Sequence, residues 1–233
     1  MTRHAHRDSQ GSTKSAVEVW VPPIGLAGTL RIPDDARGLI VFAHGSGSSR
    51  LSPRNMKVAQ GLNRCGLATL LFDLLTAEEE DDRANVFNID LLATRLVDAV
   101  AWLGREPMTA QFPLGLFGAS TGAAAALVAA ARIGEGVQAI VSRGGRPDLA
   151  GHVLDQIRVP TLLVVGGADF SVIELNEQAL ARLRGPKALE IVPGASHLFP
   201  EPGALEAVID HAARWFTRYL AGPPATAGRA RQD

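Results

Sequence analysis

The chain has 233 residues, 46% of them hydrophobic, and its 23 basic and 24 acidic side chains leave a formal net charge of -1. That length and apolar content provide for one domain with a substantial core, and the balanced charge argues against a protein that holds nucleic acid by general phosphate attraction. With Cys65 as its one cysteine, the chain can form neither an internal disulfide nor a cysteine-rich zinc site.

Residues 1–15 are polar and charged with no apolar run behind them, unlike a secretory signal peptide, and read as a disordered tail before a domain at 16–221. Residues 17–21 and 26–32 read as two strands joined by a turn at Pro22-Pro23-Ile24-Gly25, a hairpin signature. Short apolar runs then alternate with helical patterns: a strand at 39–43 and a helix at 53–64, a strand at 68–72 and a helix at 87–105, a strand at 114–117 and an alanine-rich helix at 121–133. Strands at 139–142 and 161–165, a helix at 172–184, a strand at 188–192 and a helix at 202–220 complete the pattern. Ser52-Pro53 and Glu201-Pro202 each place a cap residue and a proline at a helix start. Residues 222–233, rich in Pro, Ala, Gly and Arg, read as a second disordered tail. Continuous apolar strands alternating with helices predict an α/β fold: a mostly parallel eight-stranded sheet with helices on both faces.

Residues 108–131 contain 24 consecutive positions without a formal charge, longer than the roughly 20 that span a bilayer. Pro113, Gly115, Gly118 and Gly122 interrupt the stretch, and its character changes at Ser120 from strand to helix, so it reads as buried core rather than a membrane span.

The chemistry falls at strand ends. Gly118-Ala119-Ser120-Thr121-Gly122 has the G-x-S-x-G form of a nucleophile elbow and sits where that motif belongs, after an apolar strand and before a helix. The alternative is an ordinary turn serine bracketed by glycines. A serine hydroxyl needs a base, and the base an orienting acid. Of the six histidines, His197 follows the last strand in the loop Pro193-Gly194-Ala195-Ser196-His197-Leu198-Phe199, and Asp169 follows the seventh strand after Gly166-Gly167-Ala168. The order Ser120, Asp169, His197, each just past a strand's C-terminal end, suits a nucleophile, acid and base gathered at one sheet edge. For Asp169 the alternative is a helix cap, and for His197 a loop histidine bonded to backbone. His44-Gly45-Ser46-Gly47-Ser48-Ser49 follows the third strand, where the amide of Ser46, with Gly47 close behind, can join that of Thr121 as an oxyanion hole. A phosphate-cradling loop is the alternative, although neither G-x-x-x-x-G-K-[ST] nor G-x-G-x-x-G occurs.

These four segments together resemble the dienelactone-hydrolase-like branch of the α/β-hydrolase superfamily over residues 17–220. Dienelactone hydrolases proper carry a cysteine nucleophile where this chain has Ser120. Some relatives in the branch are fused to a phosphoribosyltransferase domain, and none is expected within these 233 residues. The resemblance implies an α/β-hydrolase fold and a cytoplasmic serine hydrolase cleaving a small-molecule carboxylic ester or lactone, with no metal, no cofactor, no nucleic acid and no membrane involved. Transfer of the acyl group to another acceptor would make the same residues a thioesterase, acyltransferase or perhydrolase. A ligand-binding protein on the same fold is the non-enzyme alternative, against which the ordered acid and base count.

Between the sixth and seventh strands only 18 residues, 142–159, are available, too few for a large cap domain. They carry Ser142-Arg143-Gly144-Gly145-Arg146-Pro147-Asp148, and residues 78–83 form an acidic loop, Glu78-Glu79-Glu80-Asp81-Asp82-Arg83. Arg143 or Arg146, with Arg50, could fork onto an anionic part of the substrate. Equally, these arginines could pair with the acidic loop or with Asp73 and fix loop geometry.

Overall fold

The apolar runs become the strands of one eight-stranded sheet in the computed structural model, which describes residues 16–220. The tails expected to be disordered lie outside the described residues. The strands are β1 (Val17–Val21), β2 (Leu26–Arg31), β3 (Leu39–Ala43), β4 (Ala68–Phe72), β5 (Leu114–Ala119), β6 (Ala139–Arg143), β7 (Thr161–Gly166) and β8 (Lys187–Val192). Their order is β1-β2-β4-β3-β5-β6-β7-β8, with β1 and β2 antiparallel to their neighbours and all other pairs parallel.

Every residue of β3 through β7 is buried, as strands covered on both faces require. Side chains alternate between the two sides. Ile40 and Phe42 of β3 pack with helices α1 (Pro53–Arg64) and α7 (Ala204–Leu220), whereas Leu39, Val41 and Ala43 pack with α4 (Ile89–Leu103) and α5 (Thr121–Ile133). Helix α7 earns its place by periodicity: Leu205, Val208, Ile209, Ala212, Phe216 and Leu220 form one buried stripe. Helix α5 is buried from Thr121 through Ala130, which the small side chains of its alanine run permit between the sheet and α4.

Ten of the 26 expected element ends shift by one or two residues and the others coincide, since a strand ends at its last ladder bond and a helix at its cap. The helix expected from residue 87 starts instead at Ile89, where Asn88 caps the amide of Leu91 at 3.1 Å. The acidic loop is partly helical, with short α2 (Ala77–Glu80) and α3 (Arg83–Val86). Thr76 and Glu79 form a reciprocal capping box that starts α2. Between β6 and β7 lie two short 3-10 turns, Pro147–Ala150 and Leu154–Gln156, and no cap domain. Helix α6 (Phe170–Arg182) follows β7.

The chain leaves β3 for β4 on one side and returns to β5 on the other, so the order reverses at the β3/β5 junction. In open α/β sheets the crevice beyond the strand ends at such a point is where ligands bind. Here Ala43 pairs with Gly118, which sets the HGSGSS loop beside the elbow.

Candidate active site

Ser120 joins β5 to α5 with φ 52° and ψ -120°, a left-handed conformation uncommon for a residue with a side chain. Two close approaches hold it there. A Cβ on Gly118 would lie 2.4 Å from the Cα of Ala123, and one on Gly122 would lie 2.3 Å from the carbonyl oxygen of Ala43. Only glycine fits at either position, so the motif is a steric requirement of the turn.

The peptide of Ser120 is tied on both sides to the segment after β6. Its N–H donates to the Arg143 carbonyl at 3.2 Å, and its own carbonyl accepts from the amide of Arg146 at 3.1 Å. Asn176, fully buried on α6, donates Nδ2 to the Gly145 carbonyl at 3.0 Å and to Val172 O at 2.7 Å. A Cβ on Gly144 would lie 3.1 Å from the carbonyl oxygen of His197, so the same segment also abuts the histidine loop.

The structure brings Ser120, Asp169 and His197 together. His197 Nε2 lies 3.4 Å from Ser120 Oγ, and His197 Nδ1 lies 2.7 Å from Asp169 Oδ2. Asp169 occupies the cap position of α6, yet its side chain makes no capping bond to the first turn and is directed to His197 instead. His197 is partly exposed and Asp169 more enclosed, so the pair opens toward the strand-end crevice on the histidine side.

The oxyanion candidates also meet. The Ser46 amide donates to Thr121 Oγ1 at 2.9 Å, linking the β3 loop to the residue after Ser120. A Cβ on Gly45 would sit 3.0 Å from the Cβ of Ser120, so this loop runs directly against the elbow. His44 anchors it. His44 Nε2 accepts the Leu74 amide at 3.1 Å and Nδ1 contacts the Gly45 carbonyl at 3.1 Å, which assigns the proton to Nδ1. Burial lowers the pKa of this imidazole, outweighing the opposing effects of the Gly45 carbonyl, Asp73 and Glu80.

The three candidate arginines occupy separate positions. Arg50 is held by Asp73, with its amide 2.7 Å from Oδ1 and Nε 3.6 Å from Oδ2, and its Nη2 lies 3.4 Å from Glu18. Arg146 forks onto Asp148 at 2.9 and 2.7 Å, which raises its pKa. Arg143 is only 6% exposed, and its Nε and Nη1 have no hydrogen-bond partner. Burial, reinforced by repulsion from Arg54, lowers its pKa to about 10.

A cavity of about 380 Å³ adjoins the HGSGSS loop. Its apolar wall comes from Leu75, Val86, Phe87 and Leu92, with Glu80 and Arg83 beside them. Sequence reasoning missed this wall because α2 and α3 are too short to show helical periodicity. It also missed Asn176, whose one signal was a polar residue among Val172 and Ala179 on the buried side of α6.

A family model, the dienelactone hydrolase family, matches residues 26–220. The chain belongs to that family. A dienelactone hydrolase from Anabaena variabilis is 57% identical in sequence, and its crystal structure superposes with a TM-score of 0.84 over 88% of this chain and 97% of that one. Est1E from Butyrivibrio proteoclasticus, 17% identical, has a TM-score of 0.75 over 91% of this chain and 100% of its own, a likeness of fold. With these neighbours the sheet and its helices are an α/β-hydrolase fold. Two proteins of Mycobacterium tuberculosis, from strains H37Rv and CDC 1551 and named as phosphoribosyl transferases, are each 58% identical over 207 residues. Those residues are 89% of this chain and 47% of either relative, so the chain spans about half the length of the curated relatives it matches. Among the described residues no helix is long and apolar enough to cross a membrane, and no cluster of three or more His, Cys, Asp or Glu side chains is arranged to hold a metal ion.

Proposed function

We propose that this dienelactone-hydrolase family member is a serine hydrolase that cleaves a small-molecule carboxylic ester or lactone through an acyl-enzyme. The observation that carries the reading is His197, placed between Ser120 Oγ at 3.4 Å and Asp169 Oδ2 at 2.7 Å. Ser120 attacks the carbonyl carbon while His197 Nε2 takes the hydroxyl proton. Asp169 fixes the tautomer with the proton on Nδ1 and stabilises the imidazolium that forms. The 3.4 Å separation is long for a hydrogen bond, as catalytic contacts often are before substrate tightens them.

The oxyanion that develops is met by the amides of Ser46 and Thr121, and the start of α5 adds a favourable dipole. The Ser46 amide now points at Thr121 Oγ1, so a small rotation or a shared bond would bring it to the oxyanion. Collapse of the tetrahedral intermediate breaks the ester C–O bond, and His197 returns its proton to the departing alkoxide. Water, activated by the same histidine, then releases the acid and restores Ser120.

Replacing Ser120 by alanine tests the reading. Hydrolysis of p-nitrophenyl acetate should fall to background, and retained turnover by the folded variant would refute it.

A further inference from the structure

The cavity along the HGSGSS loop lies to one side of Ser120. Its walls come from the HGSGSS loop, from Leu75, and from the α2–α3 segment with the start of α4. No residue of the histidine loop 193–199 or of the segment 142–148 lines it. In the proposed reaction the leaving-group oxygen must lie within reach of His197 Nε2, so a substituent on the Ser46 side is the acyl group rather than the alcohol. We propose that this cavity receives the acyl group and selects uncharged, apolar acyl groups, with α2 and α3 as their lid. The inference rests on Ser120 being the nucleophile.

Size and charge set the class. At about 30 Å³ for each water-sized unit, 380 Å³ holds about a dozen non-hydrogen atoms, well beyond an acetyl group. The lid sequence contains five consecutive acids, Glu78 through Asp82, followed by Arg83 alone. Glu79 anchors the lid through Arg95 at 2.6 Å, and Arg83 lies over the Phe87 ring at 5.7 Å. Glu80 and Arg83 both border the cavity, and their opposite charges leave no net positive site for a carboxylate. Arg50, Arg143 and Arg146 are all absent from its walls. An acyl group ending in a carboxylate therefore loses its hydration with no excess of positive charge to offset the loss, whereas a neutral chain gains contact with Leu75, Val86, Phe87 and Leu92.

The test compares the p-nitrophenyl esters of acetate, hexanoate and octanoate with the mono-p-nitrophenyl ester of adipate. Wild-type kcat/KM should rise from acetate to hexanoate by up to about fourfold per methylene, and adipate should fall at least tenfold below hexanoate. Val86→Trp fills the cavity from the lid and should remove the gain, bringing hexanoate and octanoate down to the level of acetate. Phe87 is 48% exposed, so Phe87→Ala removes little buried packing and serves as a milder second variant, which should lower the hexanoate to acetate ratio. A flat chain-length profile, adipate equal to hexanoate, or an unchanged ratio in both folded variants would overturn the proposal. Ser120→Ala on acetate separates the two claims: persistent turnover there defeats the nucleophile assignment, whereas its loss beside a flat profile defeats only the acyl pocket.

Discussion

Asn176 donates its Nδ2 hydrogen to the carbonyl of Gly145 at 3.0 Å, and through that bond helix α6 steadies the segment that clamps Ser120. Since α6 begins at Phe170, directly after Asp169, one buried amide links the helix that follows Asp169 to the brace around Ser120. A strained elbow persists only where its surroundings over-determine it, and Arg143, Gly145 and Arg146 are those surroundings. Asn176→Ala should lower kcat by about tenfold or more with KM within about twofold, since small misplacements of a nucleophile are costly. A lower melting midpoint with unchanged kcat would make Asn176 merely structural.

The bond from the Ser46 amide to Thr121 Oγ1 gives a second prediction. Thr121→Ser keeps the acceptor and should behave like the wild type. Thr121→Val keeps the shape but leaves the amide unanchored, and kcat should fall about tenfold, equivalent to about 1.4 kcal/mol of barrier. Steady-state kinetics on one ester decide it, and equal rates for the two variants would show that the link does not position the loop.

Much of this fold was legible because burial dictates a repeating pattern. Runs such as 39–43 and 162–165 are apolar at every position, as a strand covered on both faces requires. The elbow was legible for a steric reason, since Gly118 and Gly122 stand where no Cβ fits. What stayed hidden depends on contacts between distant segments. The Arg143 and Arg146 backbone bonds to Ser120 involve main-chain atoms that every residue carries. The acidic run from Glu78 to Asp82 looked like a solvated loop, and its shaping into a cavity wall depends on the Thr76 capping box and the Arg95–Glu79 pair. Among the arginines, sequence gave no means to tell the paired Arg50 and Arg146 from the unpartnered Arg143.

His44 predicts how stability depends on pH. Its folded pKa lies below its ordinary value of 6.5 because burial disfavours the charged ring. The unfolded chain therefore binds the proton first, so this stability is fully present above 6.5 and is lost as pH falls from there through the folded pKa. Denaturant midpoints between pH 5 and 8 should decline on the acid side of about 6.5, and His44→Gln should flatten the decline. An equal decline in the variant would assign the sensitivity to other groups.

Arg143 buries a guanidinium whose Nε and Nη1 lack acceptors, while Arg54 repels it. Exchanging such a group for an apolar one of similar length removes a desolvation cost while keeping packing. Arg143→Met should hold or raise the melting midpoint, by about 2–4 °C for each kcal/mol gained in a chain of this size. Arg143→Ala should lower it by leaving a cavity. A marked drop for Arg143→Met, measured by scanning calorimetry, would mean that the guanidinium stabilises the fold.

If His197, held by Asp169, activates Ser120, a fluorophosphonate should capture that serine covalently. One label per chain is expected, mapped by peptide mass to Ser120, abolished in Ser120→Ala and slowed at least a hundredfold in a folded His197→Ala variant, as loss of a general base implies. Labelling at another residue, or at an undiminished rate without His197, would contradict it.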